Sequence, residues 1–222
     1  MGKNSSQIIV KTALIVGATG LIGNQLLQIL LQDERYSSIK AITRKPITIV
    51  HPRLVNIVTD FERIKNFSEQ LRTDDVFCCL GTTIKQAGTK EAFAKVDYDY
   101  PVEIARISKE SGASQYLLVS ALGANNASSI FYNRVKGEAE VTIKNIGFET
   151  VHIFRPSLLL GDRLEKRSGE QAAKVFYKFF GALFPAKYKA IDAGKVANAM
   201  LHFANQSGKG TFIHESAALQ AF

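Results

Sequence analysis

Lys11-Thr12-Ala13-Leu14-Ile15-Val16-Gly17-Ala18-Thr19-Gly20-Leu21-Ile22-Gly23 is the stretch that decides the fold. An apolar run leads into three glycines, after which Leu21, Ile22, Leu26, Leu27, Leu30 and Leu31 recur at helical spacing. The pattern predicts a buried strand over 11–17, a tight turn, and a helix from about Leu21. Each glycine then has a mechanical reason. Gly17 permits the sharp exit from the strand, Gly20 lets an anionic group approach the backbone, and Gly23 lets the helix pack closely on the sheet. The unpaired amides at a helix start, with the positive end of its dipole, favour a phosphate. The first spacing is one residue longer than G-x-G-x-x-G, so the motif is a variant. Gly17, Thr19, Gly20, Leu21, Ile22 and Gly23 are the candidate pyrophosphate-binding residues.

Working outward, short apolar runs at 39–43, 54–58, 75–80, 115–120 and 148–154 read as strands. Helical patterns lie between them at 90–111, where Pro101 interrupts or kinks the helix, and at 131–145, which ends before Gly147. Such alternation predicts βαβ units and a parallel sheet covered on both faces. The expected fold class is α/β: a doubly wound parallel sheet, the NAD(P)-binding Rossmann fold, with a small C-terminal substrate or lid region. Residues 1–222 read as one such domain, with 157–222 contributing the lid and a C-terminal helix. Within that part, 170–184 reads as an amphipathic helix, 193–205 as another, and 211–214 as a last strand.

At 222 residues, 46% hydrophobic and 22% charged, the chain has the balance of an ordinary folded protein with one sizeable core. No apolar stretch approaches the length of a membrane span, and Met1–Ser6 lacks the apolar core of a secretory signal. The net charge of +8 is spread along the chain with no block of five basic residues. That pattern favours a solvated surface over nucleic-acid binding and leaves a phosphate-rich ligand open. Cys78 and Cys79 are adjacent, so a strand points them to opposite faces; they are poorly placed to bridge, which suits a reducing cytoplasmic setting. The four histidines have no metal-ligand spacing, so no metal site is expected.

NAD-specific sites usually place a carboxylate at the end of the second strand, on the ribose 2′-hydroxyl. Here that position holds Thr43-Arg44-Lys45. A guanidinium can clamp a 2′-phosphate that a carboxylate would repel. Arg44, seconded by Lys45, therefore argues for NADP(H) in preference to NAD(H); a merely solvated basic loop is the other reading.

Tyr132-Asn133-Arg134-Val135-Lys136 is a Tyr-x-x-x-Lys on an expected helix, a spacing that brings both side chains to one face. A phenol can hand its proton to a developing alkoxide, and a nearby ammonium favours the phenolate left behind. Lys136 can also bond the cofactor's ribose. Ser120, at the end of the fifth strand, is placed to polarise a substrate carbonyl. Tyr36 and Lys40 repeat the spacing, but across a loop and a strand start. A surface tyrosine and lysine on an exposed helical face is the bland alternative.

These residues together resemble the short-chain dehydrogenase/reductase superfamily, especially its extended and atypical branches. The likeness runs from the glycine turn through Ser120 and Tyr132/Lys136 to Arg155-Pro156-Ser157. Phe77-Cys78-Cys79-Leu80-Gly81-Thr82-Thr83, Lys95-Val96-Asp97 and Phe131-Tyr132-Asn133-Arg134-Val135-Lys136-Gly137-Glu138 are more similar still to the HIV Tat-interacting-protein (oxidoreductase) family. The resemblance implies that Asp60, with Phe61 beside it, contacts the adenine ring. It implies that Gly81 and Thr82 line the nicotinamide ribose, that Ser120, Tyr132 and Lys136 are catalytic, and that the Pro156 corner closes over the nicotinamide. Many members carry an asparagine in the central helix to support a proton-relay water; this chain has Asp97. The expected function is NADP(H)-dependent oxidation or reduction of a carbonyl/alcohol substrate, the alternative being an NADPH-binding regulatory or scaffold protein with little turnover. A small-molecule substrate is the expected partner and a homodimer the candidate assembly. Residues 162–190 mix lysine and arginine with phenylalanine and tyrosine. That segment fits either a lid over an apolar, acidic ligand, a helix packed on the core, or a partner- or membrane-surface helix.

Overall fold

A computed structural model of the protein describes residues 10–160 and 188–222. In chain order its strands are β1 (Lys11–Val16), β2 (Tyr36–Thr43), β3 (Leu54–Val58), β4 (Asp75–Cys78), β5 (Gln115–Val119), β6 (Thr150–Arg155), β7 (Leu159–Leu160), β8 (Ile191–Asp192) and β9 (Gly210–Glu215). The helices are α1 (Leu21–Gln32), α2 (Ile84–Ala87), α3 (Lys90–Ala94), α4 (Tyr100–Glu110), α5 (Phe131–Lys144), α6 (Ala193–Ala204) and α7 (Ser216–Leu219). A 3-10 segment covers Phe61–Leu71 and a π-helical turn covers Lys95–Asp99.

Seven strands form one sheet in the order β3-β2-β1-β4-β5-β6-β9, every neighbouring pair parallel. β4 and β5 are buried along their whole length, as continuous apolar runs at a sheet centre must be when both faces are covered. On one face, Ile15, Phe77 and Leu117 pack with Leu26 and Leu30 of α1 and Val196 and Met200 of α6. On the other, Val16, Val76 and Leu118 pack with Ile104 of α4 and Ile143 of α5. The chain runs outward from β1 through β2 to β3, then returns to build the other half from β4. The switch point, where ligands bind in such sheets, therefore lies over the C-terminal ends of β1 and β4.

The strand at 211–214 is longer than the sequence suggests and closes the sheet edge as β9. The helix expected over 170–184 lies outside the described residues. The helical pattern of 90–111 divides into α3, the π-helical turn and α4, with Pro101 in the first turn of α4. A proline removes one backbone N–H and crowds the carbonyl four residues back, here that of Asp97. The wider π turn accommodates this inside a continuous helical path, at the position that carries Asp97. Sequence alone did not indicate the 3-10 segment, α2 or the short β7–β8 pair.

The opposite end of the sheet is pinned by a buried carboxylate. Asp75 accepts from Tyr36 Oη at 2.6 Å, Gln115 Nε2 at 2.9 Å and Lys11 Nζ at 3.1 Å, tying β1, β2, β4 and β5 together. Burial and the Asp75 charge push the Tyr36 phenol far above its ordinary range. Tyr36 is thus a strand residue held at this node, and Lys40 bonds the carbonyls of Gln70 and Arg72. The second Tyr-x-x-x-Lys match converges on nothing.

Candidate active site

The glycine turn sits at the switch point. Gly17 has φ +82°, and a Cβ there would lie 2.7 Å from the Cys79 carbonyl oxygen, so the end of β1 rests on the segment leaving β4. A Cβ on Gly23 would lie 2.1 Å from the Gly17 oxygen, which is how closely α1 packs on the turn. Gly20 donates its N–H to Gly17 at 2.9 Å and starts α1 in an extended conformation with no side-chain cap. The first turn of α1 contains no acidic residue. The amides of Leu21, Ile22 and Gly23 have no intrahelical acceptor by position, and no carboxylate of that turn opposes an anion there. Thr19 and Gly20 are exposed at the tip while Ile22 and Gly23 are buried beneath them. A backbone cradle of this kind fits the pyrophosphate of a dinucleotide.

Around the cradle, Arg44 and Lys45 are exposed just past β2 and make no ion pair or hydrogen bond among the described residues. Asp60 lies past β3, where its carboxylate accepts from the Glu62 N–H at 3.2 Å and caps the 3-10 segment. Phe61 is largely buried and stacks on Tyr100 with ring centroids 5.1 Å apart, so its ring belongs mainly to the core.

Across the crevice, α5 presents Tyr132, Lys136 and Glu140 in successive turns of one stripe. Lys136 is buried and lies 2.8 Å from Asp97, itself buried, on the π turn. Asp97 also accepts from the Thr82 N–H at 2.9 Å, so the Gly81–Thr82 segment after β4 is tied to the lysine. Burial alone would drive the Lys136 ammonium to lose its proton; the Asp97 carboxylate, then Tyr132, outweigh it and hold the group above the ordinary lysine range. Cys78, facing the same pair from β4, is pushed up by burial and stays a neutral thiol. Tyr132 is half-buried with its ring against Phe93, centroids 5.3 Å apart, and its hydroxyl has no hydrogen-bond partner among the described residues.

Ser120 is placed differently from its neighbours in the motif. Its hydroxyl donates to Glu140 Oε1 at 2.5 Å, and Glu140 is gripped by Arg155 through Nε at 3.0 Å and Nη2 at 2.5 Å. Arg155 continues to Glu215 at 2.9 Å. The structure thus brings Tyr132, Lys136 and Gly81–Thr82 together, while the Ser120 proton points into a carboxylate–guanidinium network. Pro156 is buried, with its carbonyl accepting the Leu122 N–H at 2.9 Å; next to it Ser157 bonds Ser216 and the Lys189 carbonyl. Sequence reasoning overlooked Glu140 and the role of Arg155. Glu140 lies eight residues after Tyr132, on the same helical stripe, and that spacing was the available signal.

A parallel sheet with a glycine turn at its switch point and a Tyr–Lys pair across the crevice defines a nucleotide-binding, oxidoreductase-like class. Comparison with known proteins agrees. A family model described as NAD(P)H-binding matches residues 17–203, and the chain belongs to that family. It is 36% identical over 206 residues to protein HTATIP2 of Rattus norvegicus, covering 90% of this chain and 84% of that protein. It is 34% identical over 203 residues to the mitochondrial protein FMP52 of Debaryomyces hansenii, covering 88% of each. The resemblance to the HIV Tat-interacting-protein family is borne out. Among solved structures, the Bordetella bronchiseptica enzyme WbmH in complex with NAD+ matches with a TM-score of 0.71 at 16% identity, covering 93% of this chain and 76% of that one. MoeE5 in complex with UDP-glucuronic acid and NAD matches with a TM-score of 0.72 at 15% identity, covering 91% and 75%. At these identities the likeness is one of fold. No helix among the described residues is long and apolar enough to cross a membrane.

Proposed function

We propose that the protein is an NADP(H)-dependent oxidoreductase of the short-chain dehydrogenase/reductase type, acting on a carbonyl or alcohol carbon. One observation carries this: on the α5 stripe the Tyr132 hydroxyl has no partner among the described residues, and it stands one turn from a buried, charged lysine. The dinucleotide, when bound, supplies or accepts the hydride. Tyr132 exchanges the proton with the substrate oxygen, and the Lys136 ammonium stabilises the phenolate that results. Ser120 takes part by turning its proton from Glu140 toward that oxygen. Gly17, Gly20 and Gly23 hold the pyrophosphate, and Arg44, exposed past β2, clamps a 2′-phosphate with Lys45. Asp60 lies toward the adenine, and residues 157–222 supply the substrate side.

Two measurements test this. NADPH is expected to bind more tightly than NADH, with Arg44→Ala narrowing the gap by about tenfold or more, as loss of a charge-assisted contact implies. Tyr132→Phe is expected to abolish turnover and leave NADPH affinity nearly unchanged; undiminished turnover would remove Tyr132 from the mechanism.

A second reading, an NADPH-binding regulatory protein with little turnover, is favoured by the Ser120 hydroxyl being already engaged by Glu140. It predicts that a broad carbonyl panel leaves bound NADPH unoxidised, and a substrate turned over efficiently would count against it. Adjacent free thiols at Cys78 and Cys79 suit a reducing compartment, and we assign the chain to the cytoplasm. Fungal relatives are named mitochondrial, so recovery of the protein with mitochondria on fractionation would overturn that assignment.

A further inference from the structure

The loops that leave β4, β5 and β6 toward the Tyr132 side of the crevice each open on an uncharged run. Residues 80–84 follow β4, 120–133 follow β5 and reach into α5, and 156–160 follow β6. In a chain that is 22% charged, these runs contrast with the other half of the crevice, where Arg44, Lys45, Asp60 and Glu62 follow β2 and β3. The charged groups behind the uncharged rim offset one another. Lys136 lies against Asp97, and Arg155 lies against Glu140 and Glu215.

The β5–α5 loop is also fixed in place. Its Leu122 N–H donates to the Pro156 carbonyl at 2.9 Å, its Asn125 N–H to the Asn133 carbonyl at 2.9 Å, and Arg134 Nη1 to the Ser128 carbonyl at 3.1 Å. A Cβ on Gly137 would lie 2.2 Å from the Asn126 nitrogen, so the loop backbone rests directly on α5. On this rim stand Ile130, 60% exposed, and Leu158, 49% exposed. Ile130 is the N-cap of α5 and gives it no side-chain hydrogen bond. Aliphatic residues are among the least favoured at that position, where serine, threonine, aspartate or asparagine would satisfy a helix amide. Exposure and poor capping both argue against isoleucine as a structural choice. Contact with an apolar molecule accounts for both.

We infer that the site takes an uncharged carbonyl or alcohol compound with an apolar body, and that Ile130 and Leu158 receive that body. The inference rests on the oxidoreductase reading above and adds the class of substrate to it. A carboxylate or phosphate lying on this rim would lose water and meet no cation of the three runs to pair with. An alkyl or aryl group gains by covering the two exposed side chains.

The wild type is assayed with NADPH and either octanal or 8-oxooctanoate, which differ at the end remote from the aldehyde. Each aldehyde takes a hydride from NADPH and a proton, giving the alcohol and NADP+. Octanal is expected to have the higher kcat/KM by about tenfold or more. Ile130→Ser and Leu158→Ser are each expected to lower kcat/KM for octanal by roughly fivefold, through loss of part of an apolar contact, and to leave NADPH affinity unchanged. Serine is the better N-cap, so Ile130→Ser should hold or raise the urea midpoint, which separates lost contact from lost folding. A kcat/KM for 8-oxooctanoate equal to or above that for octanal, as an acidic ligand of the basic 162–190 stretch would give, overturns the inference and leaves the oxidoreductase reading standing. Octanal turnover indifferent to both substitutions does the same. A second arm needs no turnover: octan-1-ol and octanoate are titrated into the protein with NADP+ in excess. Octan-1-ol is expected to shift the Ile130 and Leu158 amide NMR signals and octanoate to leave them in place. Signals unmoved by octan-1-ol, or moved further by octanoate, overturn the inference. If neither aldehyde is reduced while octan-1-ol moves those signals, the apolar site stands and the enzyme reading falls.

Discussion

Replacing Gly23 by alanine tests the contact on which the nucleotide cradle rests. The added Cβ would stand 2.1 Å from the Gly17 carbonyl oxygen, 2.8 Å from its carbon and 3.1 Å from the Ala18 Cα. All three are backbone atoms, so no side chain can swing aside. An unstrained contact needs about 3.5 Å, so the α1 start or the turn must retreat by roughly 1.4 Å. Two opposed effects decide the sign. Alanine is a better helix former than glycine by about 1 kcal/mol at an interior position. Against it stand overpacking, about 1–3 kcal/mol, and the Gly20–Gly17 hydrogen bond, about 1 kcal/mol, whose acceptor is displaced. The expected net loss is about 1–3 kcal/mol, an urea midpoint lower by about 0.5–1.5 M at the m-value of a chain this size. The same retreat spreads the amides proposed to hold the pyrophosphate, so NADPH affinity should fall by more than tenfold while the exposed Gln25→Ala control on α1 changes neither property. Urea melts with and without NADPH measure both effects on one sample. A Gly23→Ala protein as stable as wild type, with undiminished affinity, would refute the steric argument and the cradle with it.

Three further outcomes follow from buried polar groups. Asp75→Leu leaves the Tyr36 hydroxyl without its acceptor and strips Gln115 of one of two, so a loss of about 3 kcal/mol is expected in chemical denaturation; a loss under 1 kcal/mol would mean that the node is replaceable. His152 and His214, 2.9 Å apart on β6 and β9, are each held down to about 4, His152 by burial and then by His214, His214 by burial. Unfolded histidines take up protons near pH 6.5 while the folded pair stays neutral, so stability is full above that and declines as pH falls toward 4. A single fully buried group would lose about 3 kcal/mol over that window; for this coupled pair, His152 buried and His214 partly exposed, about 1–2 kcal/mol is expected. A urea midpoint independent of pH between 7 and 4.5 would sink it. Ser120→Ala should lower kcat by about tenfold or more if its proton turns to substrate, and less than Tyr132→Phe does; unchanged kcat would make Ser120 purely a partner of Glu140.

Much of this architecture is legible in the sequence because local pattern and tertiary context agree there. The 11–31 stretch predicts β1, the turn and α1 almost to the residue, since apolar periodicity and glycine placement point the same way. The register of Tyr132 and Lys136 follows from helical spacing alone. What escaped was set by contacts between elements distant in sequence. Ser120 reads as a strand-end hydroxyl open to substrate, but Glu140 and Arg155 converge on it from α5 and β6. Asp97 reads only as a departure from an asparagine until the helical path bends at Pro101 and carries it to Lys136. Phe61 reads as a companion of Asp60 at the adenine ring, yet its ring stacks on Tyr100 and is largely buried. Ion pairs and ring stacks of this kind leave no periodic trace.

The α5 stripe shows how the two kinds of information combine. Lys136 is tied to the π turn through Asp97, and Glu140 is tied to β6 through Arg155 and to the end of β5 through Ser120. Two charged ties fix the helix against the crevice at successive turns. A helix so fixed cannot rotate or slide without separating buried charges, which costs several kcal/mol for each pair left unpartnered. Tyr132 lies one turn beyond these ties, steadied by the Phe93 ring and with no hydroxyl partner among the described residues. Rigidity at Lys136 and Glu140 is therefore what lets the Tyr132 hydroxyl, unpartnered among the described residues, be held at a defined place on the α5 stripe. The ion pairs are read best as devices for position, and their net stability is secondary.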